Sequence, residues 1–475
     1  MISWKIILFS IYQIIVILTI IHVVMDNRQP AKTMAWALVI WFVPVVGIVF
    51  YLFFGINTRK ERLISQRSLD QLSKRSMLEF VEQKDLTLPE DYKAVIDLFV
   101  NENLSLPFKN NEVRIYTDGY AFFPALLREI AAAKDHIHID MYIFADDPLG
   151  NLVADALIDK VREGVEVRLI YDDVGCWNVK HRFFERMREE GIEVVPYLPV
   201  RFPSFTSKVN YRNHRKLIVI DGRTGFIGGM NIALRYVKGT KTQPWRDTMV
   251  QVTGSGVYSL QRAFLVDWYF VDRTQISGRK YYPRNMEPVV QNSTLIQTVT
   301  SGPVTPYPEI MQGFVRVILA AKRYVYIETP YFLPTEAVLF ALKTAALGGV
   351  DVRVMVPLRS DAKFVEWASR SYLREMVNVG VKVLLYQAGF LHSKMVVSDD
   401  AICTCGSTNV DFRSFENNFE ANIFIYDERV ALLMRDIFMA DEAQSVLFSD
   451  IPQRIHPRFM KRLGESLVRL LSPAM

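Results

Sequence analysis

Residues 211–222 read YRNHRKLIVIDG, and residues 391–400 read LHSKMVVSDD. Two of the chain's seven histidines therefore sit inside apolar runs in one pattern, His-x-Lys-x4-Asp. Side chains on a strand alternate between faces. His214, Lys216 and Ile218 then share one face and Arg215, Leu217 and Val219 the other, and His392 pairs with Lys394 in the same way. A small pair follows each aspartate, Gly228-Gly229 or Gly406-Ser407, and then an asparagine, Asn231 or Asn409. One histidine on a strand reads as a satisfied structural residue; two with the same companions in register point to chemistry.

Working outward, the flanking segments repeat as well. AAAKDHIHIDMYIF, REGVEVRLIYDD, EEGIEVVPY and HRKLIVIDG return in the same order as LAAKRYVYIETPYF, LGGVDVRVMVPL, NVGVKVLLY and HSKMVVSDD. The two histidines stand 178 positions apart, and the glycine-led strands at Val165 and Ile192 find their counterparts 185 and 189 positions on. Apolar, β-branched strands alternate with amphipathic helical stretches, the pattern of a layered α/β domain. The expectation is two homologous α/β/α halves, 110–290 and 291–450, with mixed sheets packed about a pseudo-two-fold axis and the site between them.

Two imidazoles and two ammoniums facing one another suit a phosphodiester. Its phosphorus needs a nucleophile, a proton for the leaving alkoxide, and positive charge where the oxygens gain density. Histidine can do the first two jobs, because its ordinary pKa leaves it largely neutral at pH 7 and a carboxylate partner can raise it. Lys216, Lys394, Asn231 and Asn409 can hold oxygens without a metal, so neither a metal nor another cofactor is called for. The second nitrogen of each imidazole needs an acceptor, and Asp247 in PWRDTMVQV and Glu420 in NNFEANIFIYD, at equivalent places in the halves, are the candidates for orienting the histidines. Asp221 and Asp399 complete the motif and are grouped with the catalytic residues, although an aspartate directly after a strand reads as readily as a turn or ion-pair residue.

The N-terminal end has a different character. ISWKIILFSIYQIIVILTIIHVVM, residues 2–25, carries only Lys5, and AWALVIWFVPVVGIVFYLFFG, residues 35–55, carries no charge. Each is long enough to cross a ~30 Å hydrocarbon layer. A cleaved signal peptide competes for the first run, but VVMDNRQP offers no small-residue cleavage site. Residues 1–56 thus read as a transmembrane hairpin, with Pro44 and Gly47 tolerated in the second span. Residues 57–109 read as a membrane-proximal linker with short helices. Arg59, Lys60, Arg62, Arg67, Lys74 and Arg75 follow the hairpin, which puts the remainder on the cytoplasmic side of a multi-pass protein.

The net charge of +5 suits an anionic surface or substrate without separating lipid from nucleic acid. Cys176, Cys403 and Cys405 are too few for a disulfide framework and read as small buried hydrophobes in a reducing compartment. In the tail, 451–475, IHPRFMKRLGESLVRLLSP can line Phe459, Leu463, Leu467 and Leu470 on one side of a basic helix. Such a helix lies in a membrane surface or docks on the second half, and periodicity alone does not choose.

These residues resemble the phospholipase D superfamily, whose members carry two such motifs in one chain or in two subunits. NYRNHRKLIVIDGRTGFIGGMNI, PWRDTMVQVTG, FLHSKMVVSDDAICTCGSTNVDFRSFENNFEANI and the second apolar run are most similar to bacterial cardiolipin synthases of the two-span type. The resemblance runs nearly the whole length of the chain. It implies metal-independent transfer of a phosphatidyl group between two phosphatidylglycerol molecules in the bacterial cell membrane, releasing glycerol through a phosphatidyl-histidine. It also implies His214 as nucleophile and His392 as acid and then base, in two halves that leave the imidazoles chemically alike. The second motif departs in having Ser393 where the first has Arg215, and Ser407 in place of a glycine. Phosphatidylglycerol as donor and acceptor and anionic membrane lipid are the expected partners, and nucleic acid is not. Aromatic residues near the motifs, Tyr142, Phe144, Tyr171, Tyr211 and Phe415, are candidates for an apolar wall or for core. The alternatives are a membrane-bound phospholipase D hydrolase or nuclease, and a non-catalytic scaffold that binds anionic lipid.

Overall fold

Trp4–Met25 forms a single helix of 22 residues, about 33 Å long at 1.5 Å per residue. The computed structural model describes residues 4–25, 30–55, 90–103, 105–200, 210–240, 243–283, 294–305 and 307–474. Among these, Trp4–Met25 is the one helix both long and apolar enough to cross a membrane. The second apolar run is broken: helices Pro30–Phe42 and Pro44–Phe50 meet at Val43, and a π-helical turn, Tyr51–Gly55, ends it. Pro44 is the cause, since it has no N–H to give the preceding turn. Val43 N still donates to Val39 O at 2.9 Å and Gly47 N to Val43 O at 2.6 Å, so the chain continues through the break. Val16, Val23, Ile40 and Tyr51 are buried together, with Trp36 edge-on to Tyr51 at 5.6 Å. The residues that carry the charge-asymmetry argument, Arg59 to Arg75, lie outside the described residues.

The chain divides into two units, residues 1–63 with 200–211 and residues 64–199 with 212–475, and both repeated halves, apart from residues 200–211, belong to the second. Residues 90–103, within the expected linker, form a helix whose Val95, Ile96 and Phe99 are buried in the core of the C-terminal half.

Main-sheet strands in the N-terminal half are β1 (Phe108–Tyr116), β2 (His136–Met141), β3 (Glu166–Asp172), β4 (Glu193–Tyr197), β5 (Lys216–Ile220), β6 (Thr224–Gly228) and β7 (Met249–Gly254). The C-terminal half has β8 (Thr294–Ser301), β9 (Tyr324–Glu328), β10 (Asp351–Pro357), β11 (Lys382–Tyr386), β12 (Met395–Ser398), β13 (Ile402–Gly406), β14 (Asn418–Tyr426) and β15 (Ser445–Leu447). One sheet holds them all, in the order β15-β11-β10-β9-β12-β13-β14-β8-β1-β7-β6-β5-β2-β3-β4. Read outward from the central β8–β1 pair, the two sides match strand for strand, with β15 added at one edge. In each half three strands run parallel, β2-β3-β4 or β9-β10-β11, and the rest pair antiparallel. The longest fully buried run is the nine residues of β14, an antiparallel strand beside the central pair that also carries Glu420.

The motif aspartates explain how β5 and β12 are anchored. Asp221 and Asp399 adopt left-handed backbone, φ 53° and 55°. The Asp221 carboxylate accepts from the backbone N of Lys134, Asp135 and His136, and that of Asp399 from Lys322, Arg323 and Tyr324. Each thus holds the incoming end of the neighbouring strand, β2 or β9, at the far end of its own strand from the histidine.

Candidate active site

His214 and His392 sit just before β5 and β12, where their backbone N–H groups bond strands from the opposite half: His214 N to Phe419 O at 2.9 Å and His392 N to Arg246 O at 2.7 Å. Docking the halves therefore carries each histidine to the partner half's carboxylate. His214 Nδ1 lies 3.0 and 3.1 Å from the two oxygens of Glu420, and His392 Nδ1 lies 2.6 Å from Asp247 Oδ2. With Nδ1–H donated to a carboxylate, Nε2 keeps its lone pair and can attack phosphorus or take a proton.

Both lysines are fully buried beneath the histidines, and each ammonium donates to the carbonyl of its own motif's histidine. Lys394 Nζ also lies 2.9 Å from His392 Nδ1. One nitrogen cannot donate to Asp247 and accept from Lys394 at once. The shorter, charged contact takes the proton, and Lys394 acts as a nearby cation. Lys216 Nζ and the His214 ring both face Tyr142, at 5.1 and 4.8 Å, so His214 and Lys216 share a face as strand alternation requires.

Burial dominates the electrostatics. It pushes the His214 pKa down to about 4, against Glu420. Burial beside Lys394 pushes His392 down to about 3, against Asp247. Burial also lowers Lys216 to about 7 and moves Lys394 in the same direction. Glu420 moves the other way: burial favours its neutral form, but His214 and Lys216 outweigh it and hold the carboxyl below its ordinary value. At pH 7 the site thus presents two neutral imidazoles over two buried amines.

Both imidazoles open on one cavity of about 550 Å³, together with Asn231, Asn409, Tyr142, Trp245 and Arg235. Asn231 accepts from Ile143 N at 3.0 Å and donates to the Tyr236 hydroxyl at 2.5 Å. The Asn409 carbonyl is buried without a hydrogen-bond partner. Tyr142 alone of the aromatic residues singled out from sequence joins the wall; Phe144 and Tyr171 belong to the N-terminal core, Phe415 to the C-terminal core, and Tyr211 is buried. Trp245, Tyr236 and Tyr331 are the wall aromatics that sequence reasoning missed. Trp245 directly precedes the Arg246-Asp247 pair, which was the available signal. Asp221 and Asp399 are not brought to the cavity. Among the described residues, no group of three or more His, Cys, Asp and Glu side chains is placed to hold a metal ion.

The two departures of the second motif have structural answers. Ser407 donates its hydroxyl to Glu420. A Cβ at the matching Gly229 would come within 2.0 Å of Asp247 Oδ1, so the position opposite aspartate has no room for a side chain. Arg215 is buried against Asp267 on the face away from His214, and its Nε donates to Glu420 O at 3.1 Å. Ser393 cannot supply such a guanidinium and bonds Thr248 at 2.8 Å instead. The cation in that half comes from Arg246, which pairs with Asp441 at 2.8 Å and approaches Glu328 to 3.7 Å. Glu328 occupies in β9 the place that Asp140 occupies in β2, and burial pushes Glu328 up to about 8 and Asp140 well above its ordinary value.

Comparison with known proteins covers this whole arrangement. Residues 126–260 and 314–441 match the family described as cardiolipin synthase, PLD-like domain, and residues 14–55 match the phospholipase D-nuclease N-terminal family. The chain is 37% identical to the major cardiolipin synthase ClsA of Bacillus subtilis, over 99% of each chain. It is 37% identical to a cardiolipin synthase of Oceanobacillus iheyensis over 96% of each, and 35% identical to one of Clostridium perfringens over 95% of each. Among solved structures, phosphatidylserine synthase of Haemophilus influenzae shares the fold, with a TM-score of 0.59 over 81% of this chain and all of that one at 15% identity.

Proposed function

Because this chain belongs to the cardiolipin synthases of the phospholipase D superfamily, it is a phosphatidyltransferase that makes cardiolipin, and we propose that phosphatidylglycerol is both its donor and its acceptor. The observation that carries the reading is the pair of imidazoles on one cavity, each with Nδ1 bound to a carboxylate of the opposite half.

In the first step His214 Nε2 attacks the donor phosphorus. The bond from phosphorus to the glycerol oxygen breaks, and the leaving oxygen takes a proton from His392 Nε2, giving glycerol and phosphatidyl-His214. His392 must carry a second proton for this. Burial opposes that proton, whereas the diester anion and Asp247 favour it. In the second step His392 takes the proton of a hydroxyl on the acceptor's glycerol, that oxygen attacks phosphorus, and the phosphorus–nitrogen bond breaks to restore neutral His214. Lys216 and Lys394 supply positive charge beneath the reacting oxygens, Asn231 and Asn409 bind phosphate at the wall, and Glu420 and Asp247 orient the imidazoles. Asp221 and Asp399 hold strands, which is supported by their three backbone amides each. Water competes poorly if the acceptor headgroup fills the cavity over the phosphoryl-histidine.

The palindromic strand order supports two phospholipase D-like halves, 110–290 and 291–450, related by a pseudo-two-fold. The protein is membrane-associated, in keeping with its family and the helix Trp4–Met25. A second span over residues 30–55, passing through the Pro44 break, and a cytoplasmic site complete the proposed topology.

The test is to incubate the purified full chain in phosphatidylglycerol bilayers with EDTA and quantify cardiolipin, glycerol and phosphatidate, alongside His214→Ala and His392→Ala. Equal amounts of cardiolipin and glycerol, lost in either variant, are expected. Phosphatidate alone would make the protein a hydrolase and sink the proposed transfer.

A further inference from the structure

The C-terminal helix Phe459–Arg469 is amphipathic, yet it is docked the wrong way round for a soluble protein. Its inward stripe is Glu465, Val468 and Arg469, followed by Ser472, at helical spacing. Glu465 is 1% exposed and pairs with Arg374 at 2.6 Å on the neighbouring helix Lys363–Val377, with Arg370 at 3.7 Å. Arg469 pairs with Glu375 at 2.7 Å and lies over the Tyr372 ring at 3.9 Å. Ion pairs and a cation–π contact thus hold the helix in place.

The apolar side faces out. Phe459, Met460, Leu463 and Leu467 are exposed, Phe459 by 76%, and Leu470 and Leu471 extend the stripe beyond the helix. The helix it docks on adds Phe364 and Trp367, also exposed, and Gly464 sits opposite the Trp367 ring. A surface helix of a soluble domain turns its apolar stripe to the core and its charges to water, and contiguous apolar surface of this kind marks an interaction site. Exposed Arg458, Lys461 and Arg462 flank the stripe, which matches the negative headgroups of anionic phospholipid. The surface also abuts the active-site cavity, because Ala362 and Val365, at the start of the helix that carries Phe364 and Trp367, line that cavity.

We infer that helices Lys363–Val377 and Phe459–Arg469 form a platform by which the catalytic unit itself rests on an anionic phospholipid bilayer, beside the entrance to its site. The inference stands on exposure and charge and is independent of the catalytic roles assigned above.

The test places single spin labels on the full chain in phosphatidylglycerol–phosphatidylcholine vesicles, through Leu467→Cys, Phe364→Cys and Arg462→Cys. Cys176, Cys403 and Cys405 are buried and leave the new thiols distinguishable. Labels at 467 and 364 should be several-fold more accessible to oxygen than to a water-soluble nickel chelate, and the label at 462 should show the reverse. Equal immersion in vesicles of phosphatidylcholine alone would overturn the anionic preference. Nickel access at 467 and 364 would put the face in water, and shielding from both reagents would put it against protein, such as a second copy; either overturns the platform. The readout needs no turnover, so it separates from any failure of the proposed transfer.

Discussion

Glu420, on a strand of the C-terminal half, binds Nδ1 of His214, 206 residues earlier in the N-terminal half, at 3.0 Å. Asp247 reaches the other way, to His392. Each imidazole is oriented across the division between the halves, so neither half holds a finished histidine site of its own.

Glu420→Gln keeps the shape but removes the charge that supports an imidazolium at His214. Turnover should fall by roughly 10²- to 10⁴-fold, as for other carboxylate–histidine pairs. Histidine NMR should show the His214 resonances moving and those of His392 unmoved, with Asp247→Asn giving the opposite pattern. Movement of the same-half histidine would contradict the crossed pairing.

A donor whose glycerol is replaced by p-nitrophenol needs no proton on leaving. With it, His392→Ala should accumulate phosphatidyl-His214, read by peptide mass spectrometry, because the acid is dispensable and the base for the second step is missing. An adduct on His392 in the His214→Ala protein would reverse the two roles.

Lys216 is pushed down to about 7 by burial, and His214 to about 4. The nucleophile is neutral above its value, but the free enzyme holds the proton that His392 must donate only near pH 3, so kcat/KM should fall about tenfold per pH unit above 4 and more steeply as Lys216 loses its charge through 7. Lys216→Arg keeps its charge far above this range. It should lower kcat/KM throughout and remove the steepening near pH 7, whereas an unmoved break would assign it to another group.

Asp221→Ala should cost about 1–3 kcal/mol, the loss of three backbone hydrogen bonds to a charged acceptor at the start of β2, and Asp221→Asn should cost less because asparagine tolerates positive φ. Activity per folded molecule should stay within about threefold of the parent if the residue only holds β2, a modest change beside those expected at the histidine partners. A loss as large as that of His214→Ala at unchanged melting temperature would restore it to the chemistry.

Arg246→Met leaves Asp441 buried without its cation, and should cost about 3–5 kcal/mol of stability by denaturant titration. Asp441→Asn in the same background should recover part of that loss. No recovery would mean that Arg246 acts through Glu328, Thr248 or the Thr117 carbonyl, its other partners.

Much of this was legible in the chain itself. The two-residue period of HRKLIVID put His214 with Lys216 and turned Arg215 away, and the repeated segments foretold equivalent strands in equivalent order, because both are local properties of an extended backbone. Asp247 and Glu420 could be named as acceptors from their equivalent positions. Which histidine each would serve could not be read, since that depends on how two half-sheets dock across β8 and β1. The same docking let Arg246 replace the arginine missing at Ser393, and brought Trp245 to the cavity. At the C-terminus the sequence determined an amphipathic helix, and its periodicity was equally compatible with either face inward. The tertiary structure decided the matter, because Arg370, Arg374 and Glu375 on the neighbouring helix offered partners for Glu465 and Arg469 and none for the leucines.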